Sequence, residues 1–284
     1  MAVATVISRE RILCAARTLP AAPQAMAGLC ELLQEVNAGL GQIADQIRVD
    51  PALSARIVRL SNSVVFGGGG DVGSVDEAVI RVGFSEILRL VGAATVTTMV
   101  DRNLAGYGIM ADRLRESLLM HAIAAETLAS YTTIEPRTAY TAGLLRAMGM
   151  MVIARIGFAG ERTVCCYDPS RHRTYSDWEG ENFGVAGTEV AAMILREWRL
   201  PPGLVNAIRE HLLLSAEGYQ DPFACLLNLA GAIVADAGLA LAGEEICWEL
   251  TPAKLSALGV SEEQWHEAKT QAHAAFDRLV MALN

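Results

Sequence analysis

The chain has 284 residues, 52% of them apolar, with a formal charge of −9. That composition can bury a sizeable core and excludes wholesale disorder, and its acidic balance offers none of the broad positive field on which nucleic-acid binding rests. The six cysteines, at 14, 30, 165, 166, 225 and 247, form no C-x-x-C pair, and the first residues show no secretory-leader pattern, so reduced thiols and a cytoplasmic location are expected.

Helix signals run from end to end, and period-2 runs bounded by turns are missing, so the expected fold class is all-α. Leu19-Pro20-Ala21-Ala22-Pro23 reads as a stiff extended entry, followed by helices near 24–36 and 39–48. Asp50-Pro51 then starts a helix with a capping carboxylate ahead of a proline at the first helical position. Leu53, Ile57, Leu60 and Val64 share one stripe of that helix and are expected in the core. Asn62 and Ser63 at its end are read as side-chain ties to the next loop. The glycine run 67–70 lacks the strand and lysine of a phosphate cradle and reads as a flexible loop. Ser74-Val75-Asp76-Glu77 has capping-box spacing, Gly83 suits a left-handed C-terminal cap, and a long apolar helix is expected over about 85–100.

The polar run 101–112 is the expected hinge between two helical subdomains. Beyond it, helices are expected near 113–130, 137–157, 188–199, 203–215, 222–240 and 262–282, with a long loop of short helical pieces over 159–188. Asp221-Pro222, Thr251-Pro252 and the capping box Ser261 to Gln264 supply further helix starts. The run Cys225 to Gly243 is apolar except for Asn228 and Asp236. An Asp near mid-span costs about 2.5–3.5 kcal/mol on insertion scales, and basic flanks are missing, so this reads as a buried bundle helix and not a membrane span. Leu114, Leu118, His121, Ala125 and Leu128 lie on one stripe, as do Leu204, Ala207, Ile208, His211 and Leu212, so His121 and His211 are expected to point inward.

Tyr140 to Val152, YTAGLLRAMGMMV, resembles the central helix of the HD superfamily of metal-dependent phosphohydrolases, A-G-L-L-H-D-I-G-K. Ala142, Gly143, Leu144, Leu145 and Gly149 match that frame, while Arg146 and Ala147 stand at the His-Asp positions. The run from Asp50 and Pro51 through Leu53 to Asn62 and Ser63 is similar to the opening of HDOD domains, the HD-related output domains of bacterial signalling proteins. So are Ser74 to Gly83, the segment from Glu189 through Trp198 to Pro201, and Ala207 to His211 with Glu210 at a first His position. The resemblance covers about 15–215, with an N-terminal helical subdomain to about 105 and a degenerate HD-like one from about 112; 216–284 is expected to form a helical segment packed on the latter. It implies a cytoplasmic regulatory module working in signal transduction through protein partners or a small ligand.

The same resemblance places HD metal ligands at His121, Arg146, Ala147 and about Gly231, and a further family His at Gly187. A guanidinium has no free lone pair for a metal and alanine has no ligand atom, so no metal, no cofactor and no enzymatic activity are expected. Two alternatives stay open: a residual metal-dependent phosphohydrolase acting on nucleotides, and a nucleotide-binding sensor using Arg146. The vestigial pocket is read as His121, Arg146, Glu210 and His211. An inward guanidinium needs an anionic partner, with Glu210 expected first or else a small anionic ligand.

Overall fold

The computed structural model describes residues 6–17, 44, 47–48, 51–62, 71–158, 165–214 and 218–283. The entry at 19–23, the helix expected near 24–36 and most of that near 39–48, Asp50, Ser63, Val64 and the glycine run lie outside these residues, as do the side chains of Pro51, Leu53 and Leu60. Among the described residues the fold is all-α, and the extended pairing present is an isolated bridge between Leu104 and Ile109.

The helices are α1 (Arg9–Arg17), α2 (Pro51–Ser61), α3 (Val75–Val82), α4 (Phe84–Met99), α5 (Ala111–Ala129), α6 (Pro136–Leu145) and α7 (Met148–Ile156). They continue as α8 (Tyr175–Phe183), α9 (Gly187–Glu197), α10 (Pro202–Glu210), α11 (Pro222–Asp236), α12 (Pro252–Leu258) and α13 (Glu262–Leu283).

Helix α5 is the axis of the larger part of the molecule. Every residue from Ser117 to Ala129 is buried. A helix apolar on all sides belongs in an interior, and here α6, α11 and α13 surround it. Gly143 makes the α5–α6 contact possible: a Cβ there would lie 2.6 Å from the Ala122 backbone. On the other side α9 packs against α7 and α10, with α1 laid across α7 and α9. Gly149 permits that packing, since its Cβ would lie 1.8 Å from the Gly187 carbonyl. The apolar α11 is buried from Ala224 to Val234 as a core helix. Asp236 at its end faces out toward Lys269 and His273.

Local chemistry sets the helix ends. Asn62 clamps the end of α2 to the chain beyond the glycine run, its Nδ2 donating to the Val72 carbonyl at 2.9 Å and its Oδ1 accepting the Val72 N–H at 2.8 Å. Ser74 caps α3 by accepting the Glu77 N–H, while the Glu77 carboxylate reaches back to the N–H of Gly73 rather than that of Ser74. Gly83 has φ +82° as a glycine hinge requires, but ψ 162° puts it outside the left-handed cap conformation expected. It serves as the C-cap of α3 and the N-cap of α4, so the chain turns there without a loop.

One expectation is corrected: the single helix near 137–157 is two, α6 and α7, broken at Arg146-Ala147. Within 159–188, α8 is a short helical piece of the kind expected there, opened by a reciprocal capping box between Thr174 and Asp177. The connection at 101–112 is a packed turn: Leu104, Tyr107 and Ile109 are buried, and the Tyr107 hydroxyl donates to Glu179 Oε1 at 2.6 Å.

Candidate functional site

The break between α6 and α7 falls where α5, α10 and α11 converge, and it brings Arg146 into the interior. Arg146 is 3% exposed. Its Nη1 donates to both carboxylate oxygens of Glu244, at 3.0 and 2.8 Å, and its Nη2 donates to Ser117 Oγ at 3.2 Å. The guanidinium carbon lies 5.6 Å from the centre of the Trp248 ring, a cation–π arrangement. Arg146 therefore has an acidic partner, but not Glu210, which accepts from Arg209 Nε at 2.8 Å. Glu244 comes from the irregular segment between α11 and α12, 98 residues further along the chain.

His121, on the inner face of α5, is completely buried. Its Nε2 lies 2.9 Å from the Leu227 carbonyl, which can only accept, so this nitrogen carries the proton and Nδ1 presents a lone pair. His211, at the C-terminal cap of α10, is fixed the opposite way: Nδ1 donates to the Ile208 carbonyl at 2.6 Å and Nε2 carries the lone pair. The two rings are 6.5 Å apart. Trp248 lies 5.7 Å from His121 and 6.0 Å from His211, stacked on the latter. Asn228, one residue past Leu227 on α11, donates to the His211 carbonyl at 2.8 Å. His121 Nδ1, Arg146 Nε, His211 Nε2 and Asn228 Oδ1 are buried without a hydrogen-bond partner among the described residues.

Both imidazoles are held neutral. Burial is the main cause and the Arg146 charge the next: His211 is pushed down to about 3, and His121, with the neighbouring His211 ring adding, well below the usual histidine range. Arg146, His211 and Glu244 also line a cleft of about 280 Å³, solvent at its mouth included, with Tyr175, Ser176, Thr188 and Glu179. Glu179 is buried; it accepts from Tyr107 and from the Gly187 N–H, and desolvation pushes its carboxyl up to about 7.

These residues do not fit a metal. Both imidazoles feel the fixed positive charge of Arg146, which disfavours a cation beside them, and the Glu244 carboxylate is engaged by that guanidinium. At the positions where further family side chains would project, the space is taken. A Cβ on Gly231 would lie 2.3 Å from the Trp248 ring, and one on Gly187 would lie 2.7 Å from Glu179 Oε1. Among the described residues no group of three or more His, Cys, Asp or Glu is placed to hold an ion.

Of the residues expected in the pocket, His121, Arg146 and His211 come together. Gly143 and Gly149 set the helix approaches around it. Trp198 at the end of α9 is half-buried, and Pro201 forms the N-cap of α10. Sequence reasoning missed Ser117, Glu179, Glu244 and Trp248. Asn228 carried a signal, as one of the two polar residues in an apolar run.

The sequence profile of the HDOD domain matches residues 19–213. Among solved structures, a candidate signal transduction protein from Marinobacter aquaeolei VT8 is 25% identical with TM-score 0.73; the match covers 96% of this chain and 64% of that one. The chain thus spans under two thirds of that protein. An HDOD domain protein of unknown function from Geobacter sulfurreducens matches at 20% identity and TM-score 0.62, over 96% and 99% of the two chains. A candidate phosphohydrolase from Shewanella amazonensis SB2B matches at 24% and 0.64, over 96% and 98%. No curated protein matches the chain.

Proposed function

Because the chain belongs to the HDOD family, we propose that it is a non-catalytic signalling module that acts in the cytoplasm through protein partners or a small ligand. One observation carries this reading: the side chain at the His position of the HD pattern is a buried guanidinium, neutralised by Glu244. Metal-assisted phosphoester hydrolysis needs an ion with an open coordination position to polarise the phosphoryl group or activate water. A guanidinium has no coordination position on which to bind and activate water, and the Nη1 donor of this one is taken up by Glu244. The signalling name of the Marinobacter relative supports the same direction. The organisation proposed with it is two helical subdomains, to about 105 and from about 112, with 216–284 packed on the second.

The test is metal content and hydrolysis together. The full-length protein, purified with Mn²⁺, Fe²⁺ or Zn²⁺ supplied, is analysed for bound metal and assayed on nucleotides and simple phosphomonoesters. Substoichiometric metal and no turnover are expected. Stoichiometric metal with turnover, both lost in a folded His121→Gln variant, overturns the proposal in favour of a residual phosphohydrolase.

A further inference from the structure

We infer that the pocket at the α6–α7 break is a carboxylate-recognition site whose resident ligand is the chain's own Glu244, carried in with Trp248 on the segment 239–250. The inference deepens the reading above and rests on the pocket having left metal chemistry. Its ground is where the contacts come from. The receiving groups, Ser117, His121, Arg146 and His211, lie within the HDOD match at 19–213, while the carboxylate and the indole lie beyond it.

The fit is that of a site and an occupant. The carboxylate oxygens take Arg146 Nη1 at 3.0 and 2.8 Å. The indole lies over Gly231, the one residue type that leaves room for it, and faces both histidine rings. Separate contacts hold the segment on either side. Arg113 donates to the Ala240 carbonyl at 3.1 Å, the Tyr175 N–H to the Gly243 carbonyl at 3.1 Å, and Lys254 Nζ to the Cys247 and Glu249 carbonyls at 3.0 and 2.6 Å.

Charge selects the ligand class. With both imidazoles neutral, the fixed cation is one guanidinium, and one carboxylate balances it. A dianionic phosphate ester in its place would leave a surplus buried charge, which is costly. Arg146 and His211 line the cleft together with Glu244, and Arg146 Nε and His211 Nε2 are buried without a partner among the described residues. They offer one donor and one acceptor to whatever accompanies the acid.

Chemical rescue tests this in the full chain. Glu244→Ala empties the carboxylate position and keeps the cation. Its melting temperature is expected to fall by several degrees and to recover in part with tens of millimolar acetate or propionate, but not with chloride or phosphate at matched ionic strength. Arg146→Met/Glu244→Ala is expected not to respond. An unchanged melting temperature in Glu244→Ala, equal rescue by chloride or phosphate, or equal rescue of the double variant each overturns the inference. If Glu244→Ala does not fold, Glu244→Gln is compared with Arg146→Met/Glu244→Gln. Higher stability in the double variant supports a site built around one cation and one carboxylate, and lower or equal stability overturns it. Failure of rescue leaves the non-catalytic reading standing on Ala147 and Gly231, whereas metal-dependent turnover removes that reading whatever the rescue shows.

Discussion

At the scale of single residues, the pocket depends on glycines as much as on charged groups. Gly231 stands where the family pattern expects a ligand, and the ring of Trp248 occupies the volume a side chain would need. The contact is between a rigid indole and a backbone, so neither side yields cheaply. Gly231→Ala is therefore expected to destabilise the protein by about 1–3 kcal/mol, the usual range for overpacking a close-packed interior. Trp248→Leu opens a gap at the same place. Combined with Gly231→Ala it is expected to cost less than the sum of the single changes, because the added methyl then has somewhere to go. Urea unfolding of the four proteins measures this; strict additivity would mean that the ring does not cover Gly231. The Arg146–Glu244 pair differs in kind. A buried ion pair contributes little net stability over apolar residues of the same volume, but breaking it leaves an uncompensated charge. Its value lies in fixing which segment enters the pocket.

At the scale of elements, side-chain ties at helix ends decide where the chain turns. Asn62→Ala removes both hydrogen bonds that hold Val72 to the end of α2, and should cost about 1–3 kcal/mol by stranding backbone groups of that turn. Thr174→Ala, which removes half of the capping box of α8, should cost about 1 kcal/mol. Thermal or urea melts check both; a neutral Asn62→Ala would mean that water replaces the amide at no cost. Apart from the ten-residue reach of Asn62 to Val72, such ties are short-range, and this is why they were legible. Asn62, Ser74, Asp221, Thr251 and Ser261 announce themselves within three or four residues of the groups they hold, or sit at a helix end where such a tie is expected. The inward faces of α5 and α10 were legible from their period, which placed His121 and His211 correctly. The partner of Arg146 was not. Glu244 lies in an irregular segment where no period operates, and Glu210 merely stood nearer in the family frame. The helix break at Arg146-Ala147 was hidden too, because neither residue is a helix breaker. The long-range pairing decides that geometry, and local propensity does not.

At the scale of the whole molecule, the buried titrating groups make opposed contributions to how stability varies with pH. His121 and His211 are neutral in the fold, with His211 pushed down to about 3. On unfolding they regain the ordinary histidine value near 6.5 and take up protons below it. Their contribution is full above about pH 6.5 and is lost as the pH falls toward 3, since the unfolded chain then binds more protons than the native one. Glu179 acts in the other direction. Its carboxyl is raised from 4.5 to about 7, so the native state holds a proton that the unfolded chain has released. That contribution is full below about pH 4.5 and is lost as the pH rises through 7, by about 3 kcal/mol at most from 1.36 kcal/mol per pKa unit. Between pH 7 and 4.5, acidification therefore weakens the protein through the two histidines and strengthens it through Glu179. The differences between variants isolate each group from the exposed carboxylates. His211→Gln should lose less stability than the parent between pH 7 and 4.5, and Glu179→Gln should lose more. Urea titrations at intervals across that range give the slopes. A His211→Gln slope equal to the parent's would place His211 in contact with bulk water, and a Glu179→Gln slope no steeper than the parent's would mean that the carboxylate stays ionised beside Tyr107 and the Gly187 N–H. In either case the closed interior described for this pocket, with one guanidinium balanced by one carboxylate, would have to be abandoned.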